Sequence, residues 1–288
     1  MADQNCTAKE WTTRRSDAGE LVLRECSADD LKELQQLSER VKWNQLPADW
    51  LNFLNAGKVW SMVHINRIVG TAAWIPRSKN CVWIGLVITL EEWRGCSIAT
   101  RLMKKIIEQT SQYSSRLLDA SAMGEPVYRR LGFKDMYQVS RIAIENYSAK
   151  VSPGPDWQPM TQDDVAELGK DDPLLPMLFE NAPELCKVAF SGNKRIAWFM
   201  GRYGLNSIHL GPVYAEDVSG ALGAVNEFKR LADGRKITLD AMGYQKEFLN
   251  ALYLDGAQNM RDFTRMYHGR CDRQENPQMF AAAGPEYG

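Results

Sequence analysis

The segment Arg94-Gly95-Cys96-Ser97-Ile98-Ala99 lies shortly after an apolar run, Trp83-Ile84-Gly85-Leu86-Val87-Ile88. It opens a predicted helix over Ile98–Thr110. Ala99, Leu102, Met103, Ile106 and Ile107 share one face of that helix, and Arg101, Lys104, Lys105 and Glu108 the other. Amides at such a helix start have no intrahelical acceptor and stand at the positive end of the dipole. The loop therefore suits a pyrophosphate; the plain alternative is an ordinary strand–turn–helix crossover. A second segment runs Gly124-Glu125-Pro126-Val127-Tyr128-Arg129-Arg130-Leu131-Gly132-Phe133, after an apparent strand end at Leu117-Leu118-Asp119-Ala120. Pro126 suits a first helical turn and Gly132 a helix stop, which places Tyr128 near the helix end.

Together the two segments resemble the GNAT superfamily of acyl-CoA-dependent N-acyltransferases. Its pyrophosphate loop reads Arg/Gln-x-x-Gly-x-Gly/Ala, matched by Arg94 to Ala99. Its later segment reads Tyr-x-x-x-Gly-Phe, matched by Tyr128 to Phe133. Ser97 departs from the family's usual Gly; its Cβ tolerates positive φ less well, but its amide remains. The resemblance implies acetyl-CoA, or another short acyl-CoA, held by Leu86, Val87, Ile88, Arg94, Gly95, Cys96, Ser97, Ile98, Ala99 and Thr100. It implies direct attack on the thioester by a primary amine of a small molecule. Tyr128 is the expected acid for the leaving thiolate, against a plain packing role. No base for the amine stands out. Glu91 and Glu92 read as a solvated turn, Asp119 as a strand end or helix cap, and a water chain serves equally. The acceptor wall is expected around Trp43, Asn44, Gln45 and Asp49, with Trp83, Asp119 and Tyr214 as further substrate candidates. Core packing is the competing role for the tryptophans. A CoA-binding sensor or scaffold with a protein-recognising second half is the alternative function.

The elements that must position these groups follow from periodicity and turn residues. Glu20–Arg24 reads as a strand. Ser27-Ala28-Asp29-Asp30 resembles a capping box opening a helix with Leu31, Leu34, Leu37 and Val41 inward. A second helix is expected over Pro47–Asn55. Strands follow at Lys58–Val63 and Ile68–Trp74, then the cofactor strand and helix, the Leu117 strand, the Tyr128 helix and a strand at Tyr137–Ile144. Pattern alone gives mixed α/β. The resemblance implies an α/β (α+β) chain of two GNAT-like domains, each a mixed, mostly antiparallel sheet flanked by helices.

A length of 288 residues favours two domains, and a net charge of −1 argues against nucleic acid or a membrane surface as partner. No apolar run reaches spanning length and no secretory signal is visible, so a cytoplasmic monomer or homodimer is expected. The cysteines and the three histidines are dispersed, so no metal site is expected.

The second half repeats the first. Leu239-Asp240-Ala241 echoes Leu118-Asp119-Ala120, and Gly211-Pro212-Val213-Tyr214 echoes Gly85-Leu86-Val87-Ile88. Gly132 precedes Arg141, and Gly256 precedes Arg265, by the same nine residues. Duplication is implied. Asp217-Val218-Ser219-Gly220 replaces the phosphate loop, and Leu252 stands at the Tyr128 position. The expected organisation is an acyl-CoA-binding domain at 1–147, a linker at 148–158, a degenerate domain at 159–270 and a tail at 271–288, poorly ordered or draped on the surface. Tyr214, Arg265 and Tyr267 are expected to reach the acceptor from the second domain.

Overall fold

Residues 20–148, 155–170, 172–271 and 275–288 are described by the structure, a computed structural model. The first half runs β1 (Leu21–Glu25), α1 (Leu31–Arg40), α2 (Pro47–Ala56), β2 (Lys58–His64), β3 (Arg67–Ser78), β4 (Cys81–Thr89), α3 (Ile98–Gln109), β5 (Ser115–Ala120), α4 (Glu125–Arg130) and β6 (Lys134–Ile144). The second half repeats that order: β7 (Trp157–Pro159), α5 (Gln162–Leu168), α6 (Leu174–Asn181), β8 (Lys187–Ser191), β9 (Lys194–Arg202), β10 (Ile208–Ala215), α7 (Val218–Ala232), β11 (Ile237–Met242), α8 (Lys246–Leu254) and β12 (Gln258–Gly269). A last strand, β13 (Met279–Ala282), follows. The capping box at Ser27 forms with Asp30 as its acid. No helix of the described residues is long and apolar enough to cross a membrane.

All strands join one sheet in the order β1-β2-β3-β4-β5-β12-β6-β11-β13-β10-β9-β8-β7. The order is nearly palindromic because each half lends its last long strand to the other. β12 lies between β5 and β6, with Thr264 opposite Ala120 and Phe263 opposite Val139. β6 in turn pairs with β11, with Ile142 opposite Leu239. The sequence division near residue 148 is therefore not a division of the sheet; residues 149–154 of the expected linker lie outside the described residues. The exchange is fixed by two bidentate ion pairs across the halves. Arg265 donates to both Asp119 oxygens at 2.8 Å, and Arg141 to both Asp240 oxygens at 2.8 Å.

The helices bury one face each against this sheet. Leu34, Leu37, Leu102, Met103 and Ile106 seal the first half, and Ala221, Ala224, Val225 and Phe228 the second. The first core continues into α5 and α6 through Val165, Leu174 and Leu178, so the halves share packing.

The expected surface tail is corrected. β13 sits between β10 and β11 in the second half, with Ala281 opposite both Val213 and Ala241. β10 and β11 are the counterparts of β4 and β5. They too run parallel, pairing at Ile208–Ile237 and His209–Thr238 before they separate around the inserted strand. Low apolar content misled because this slot needs small residues: a Cβ on Gly211 would overlap the Ala282 carbonyl. Beyond β13 a tight turn, closed by Tyr287 and Gly288 amides on the Gly284 carbonyl, turns back onto β4. Tyr287 stacks on Phe53 and is fully buried.

Candidate active site

β4 and β5 pair only from Cys81–Ser115 to Trp83–Leu117 and then diverge. At the divergence β4 bulges: two residues, Leu86 and Val87, oppose one of β3, and Leu86 takes φ +52°. Thr71 Oγ1 donates to the Leu86 carbonyl at 2.8 Å and fixes that turn. The bulged segment leaves backbone groups of β4 facing the gap rather than a neighbouring strand.

A cavity of about 1400 Å³ fills the gap. Leu86, Val87 and Ile88 line it from β4. Arg94, Gly95, Ser97, Ile98, Ala99 and Thr100 line it from the loop and the first turn of α3, whereas Cys96 does not. Gly95 has φ +79° with open space beyond it, and Ser97, the residue preceding α3, has φ +56°. The first helical bond of α3 is Arg101 N–H to the Ser97 carbonyl, at 3.0 Å. The amides ahead of it are those a pyrophosphate would take, so the residues present fit the group.

Tyr128 also lines the cavity. Its spacing to Gly132 has a local cause: Gly132 takes φ +91° and Phe133 N–H bonds the Tyr128 carbonyl at 3.1 Å, which closes α4. The second half does the same at Gly256, φ +91°, with Ala257 N–H on the Leu252 carbonyl at 3.0 Å. A Cβ on Gly124 would stand 2.8 Å from the Tyr128 ring, so glycine leaves room for the phenol. Burial raises the Tyr128 phenol well above its usual range, which keeps it protonated and a donor.

The acceptor candidates separate. Trp43, Asn44 and Gln45 line the cavity. Asn44 is committed to joining the halves: its Oδ1 accepts the Asn206 and Ser207 amides at 2.6 and 3.1 Å. Gln45 is 4% exposed and its Oε1 has no hydrogen-bond partner. Asp119 reaches the cavity but its carboxylate is bound by Arg265. Trp83 does not line it; the ring is buried between the Arg265 guanidinium, 4.7 Å away, and the Pro285 carbonyl, which its Nε1 bonds at 3.1 Å. Tyr214 does not line it either, being stacked on Trp198 at 4.6 Å, and neither do Arg265 and Tyr267.

The second half reaches the cavity through other residues. Arg202, Asn206, Ser207, His209, Thr238 and Glu286 line it. Only a segment expected to be surface tail could have supplied Glu286, so sequence held no signal for it. In the second half's own loop, Asp217 Oδ1 accepts the Gly220 amide at 2.8 Å and so occupies the start of α7.

His209 gives a stability prediction. Burial first, then the cations Arg202 and Arg141, push its imidazole down to about 3 from 6.5. The unfolded chain takes up this proton first as pH falls. The stabilisation is therefore complete above about 6.5 and is lost between there and 3, on the order of a few kcal/mol. Urea midpoints measured against pH should fall over that window, and His209→Asn should flatten the fall.

Residues 23–143 match a family model described as an acetyltransferase (GNAT) domain. No curated protein matches the chain by sequence. Among solved structures, a candidate acetyltransferase from Pyrococcus horikoshii superposes with a TM-score of 0.78 at 16% identity, covering 93% of this chain and 96% of that one. A GCN5-related N-acetyltransferase from Sphaerobacter thermophilus gives 0.61 at 12% identity, over 88% of this chain and 98% of its own. A tandem GNAT protein from the clavulanic acid biosynthesis pathway gives 0.64 at 12% identity, over 88% and 100%. At these identities the likeness is one of fold.

Proposed function

We propose, for a chain whose residues 23–143 carry a GNAT acetyltransferase domain, that the first half binds acetyl-CoA and catalyses acyl transfer to a primary amine of a small molecule. The observation that carries this reading is the convergence of the loop and first turn of α3, the bulged edge of β4 and Tyr128 on one cavity. When bound, acyl-CoA supplies an activated thioester. The α3 amides and Arg94 hold its phosphates, and β4 backbone groups between Leu86 and Ile88 orient the acyl end. Tyr128 gives its proton to the departing sulfur.

In this reading the second half does not bind CoA. Asp217 already takes the Gly220 amide at its helix start and would repel a phosphate, and β13 fills the opening between β10 and β11. The second half instead closes the acceptor side through Arg202, His209 and Glu286.

Ser97→Pro tests the cofactor site. Proline fixes φ near −65°, which φ +56° forbids, and it removes an amide. Calorimetry should show acetyl-CoA binding abolished in Ser97→Pro and retained in Ser97→Gly, which accepts the left-handed backbone. Unchanged binding in Ser97→Pro would overturn the assignment.

A further inference from the structure

The acceptor wall holds a charge cluster that is neutral in sum and uneven in its hydrogen bonds. Arg141, Arg202 and Arg261 stand there with Asp49, Asp240 and Glu286, and His209 is neutral. Arg141 takes both oxygens of Asp240 at 2.8 Å. Arg202 holds Asp49 at 3.2 Å and Glu286. Lys236, on the same wall, is matched by Glu145 at 2.5 Å. Arg261 lines the cavity too, yet among the described residues it makes no hydrogen bond and no ion pair. Asp262 is next in sequence but alternates to the opposite face of β12, where its carboxylate accepts from Ser140 and Asn259.

Arg261 also breaks the internal repeat. In the first half a row of paired residues crosses the sheet: Asp119 on β5, Arg265 on β12 and Tyr137 on β6. The corresponding row of the second half is Asp240 on β11, Arg141 on β6 and Arg261 on β12. In each row a bidentate arginine closes the carboxylate. The first row ends on a neutral phenol, which accepts from Arg265 at 3.4 Å. The second ends on another guanidinium, directly opposite Arg141. Like charges so placed destabilise a sheet, and a neutral residue would remove the repulsion. Burial, then Arg141, act against the Arg261 charge, and Asp240 offsets them in part. The Phe263 ring, also in the cavity wall, carries both guanidinium groups, Arg141 at 5.3 Å and Arg261 at 5.9 Å, which fixes Arg261 in place. A fixed guanidinium with unused donors is what a carboxylate ligand needs.

We propose that Arg261 binds a carboxylate of the acceptor, so that the substrate is an amine that also bears a carboxylate. The proposal rests on the N-acyltransferase reading and adds the substrate class. The planar fork of Arg261 pairs with both carboxylate oxygens. The neutrality of the wall favours the same class: an amino carboxylate enters as a zwitterion and adds no net charge to a cluster that is largely buried. The phosphates of acyl-CoA have their own partners in the α3 loop and Arg94. Arg261 belongs instead to the second half, where Arg141 couples its row to Arg202 and Glu286.

The test uses the full chain, acetyl-CoA as donor and matched acceptors, followed by thiol release. The acceptors are para-(aminomethyl)benzoate against benzylamine, and glycine, β-alanine and γ-aminobutyrate each against its primary amide. In wild type at least one carboxylate should be preferred over its uncharged partner by about 10- to 100-fold in kcat/KM, the range of a charge-assisted pair. R261M should bring that preference close to unity, chiefly through KM, while acetyl-CoA affinity by calorimetry is unchanged. R261K should keep part of the preference. The urea midpoint of R261M should equal or exceed that of wild type, since a cation opposite Arg141 is gone. Three results overturn the proposal: no preferred carboxylate in wild type, a wild-type preference surviving in R261M, or a fall in R261M of acetyl-CoA affinity or of the urea midpoint. If wild type binds no acetyl-CoA, the acyltransferase reading fails, and calorimetry of the same carboxylates against wild type and R261M still decides the role of Arg261.

Discussion

Arg202→Met is expected to cost the fold about 3–5 kcal/mol, because it leaves Asp49 and Glu286 buried without their cation. Against a typical total of about 5–15 kcal/mol, that loss is large enough to read directly from a urea midpoint. Its pH dependence identifies the cause. Burial already raises the Glu286 carboxyl above its unfolded value, and removing Arg202 takes away the charge that opposes it. The variant is therefore most stable at acidic pH, where Glu286 is protonated, and weakens as pH rises through the carboxylate range. Adding Glu286→Gln to Arg202→Met should return part of the loss by removing one of the two charges. If Arg202→Met unfolds at the wild-type midpoint, the cluster is not held together as described.

Tyr128→Phe should lower turnover about 10- to 1,000-fold while acetyl-CoA affinity stays the same. The substitution keeps the ring that packs 6.0 Å from Phe133 and the space left by Gly124, and removes only the hydroxyl. Steady-state turnover with benzylamine, set beside calorimetry with acetyl-CoA, separates the two effects. An unchanged rate would make Tyr128 a packing residue.

What was legible in the sequence is what local geometry encodes. The Arg94–Ala99 loop and the Tyr128–Phe133 segment are a helix beginning and a helix end, whose backbone requirements fall within a few residues. The capping box at Ser27 is legible for the same reason. The repeat was also visible, in the echoed Leu-Asp-Ala triplets and the equal Gly-to-Arg spacings. Its meaning was not. Asp119 finds Arg265, and Asp240 finds Arg141, only because strands cross between the halves, and no local pattern specifies that crossing. Trp83 and Tyr214 looked like pocket aromatics because residue type does not reveal which face of a strand is covered; both proved to be packed against neighbours. Glu286 was hidden for a different reason. Its segment holds little apolar content beyond Met279, Phe280 and three alanines, and the strand that anchors it needs alanines to slip between β10 and β11.

The crossed strands also set the order in which the molecule can come into being. β6 ends at Ile144, yet the strand that separates it from β5 does not begin until Gln258. During synthesis the first half therefore waits, with the edges of β5 and β6 unpaired, while the whole second half is made. Closing so long a span is slow, and open strand edges recruit other chains. A half-length product is then a sticky intermediate rather than a small enzyme, and refolding from urea should be limited by the arrival of β12.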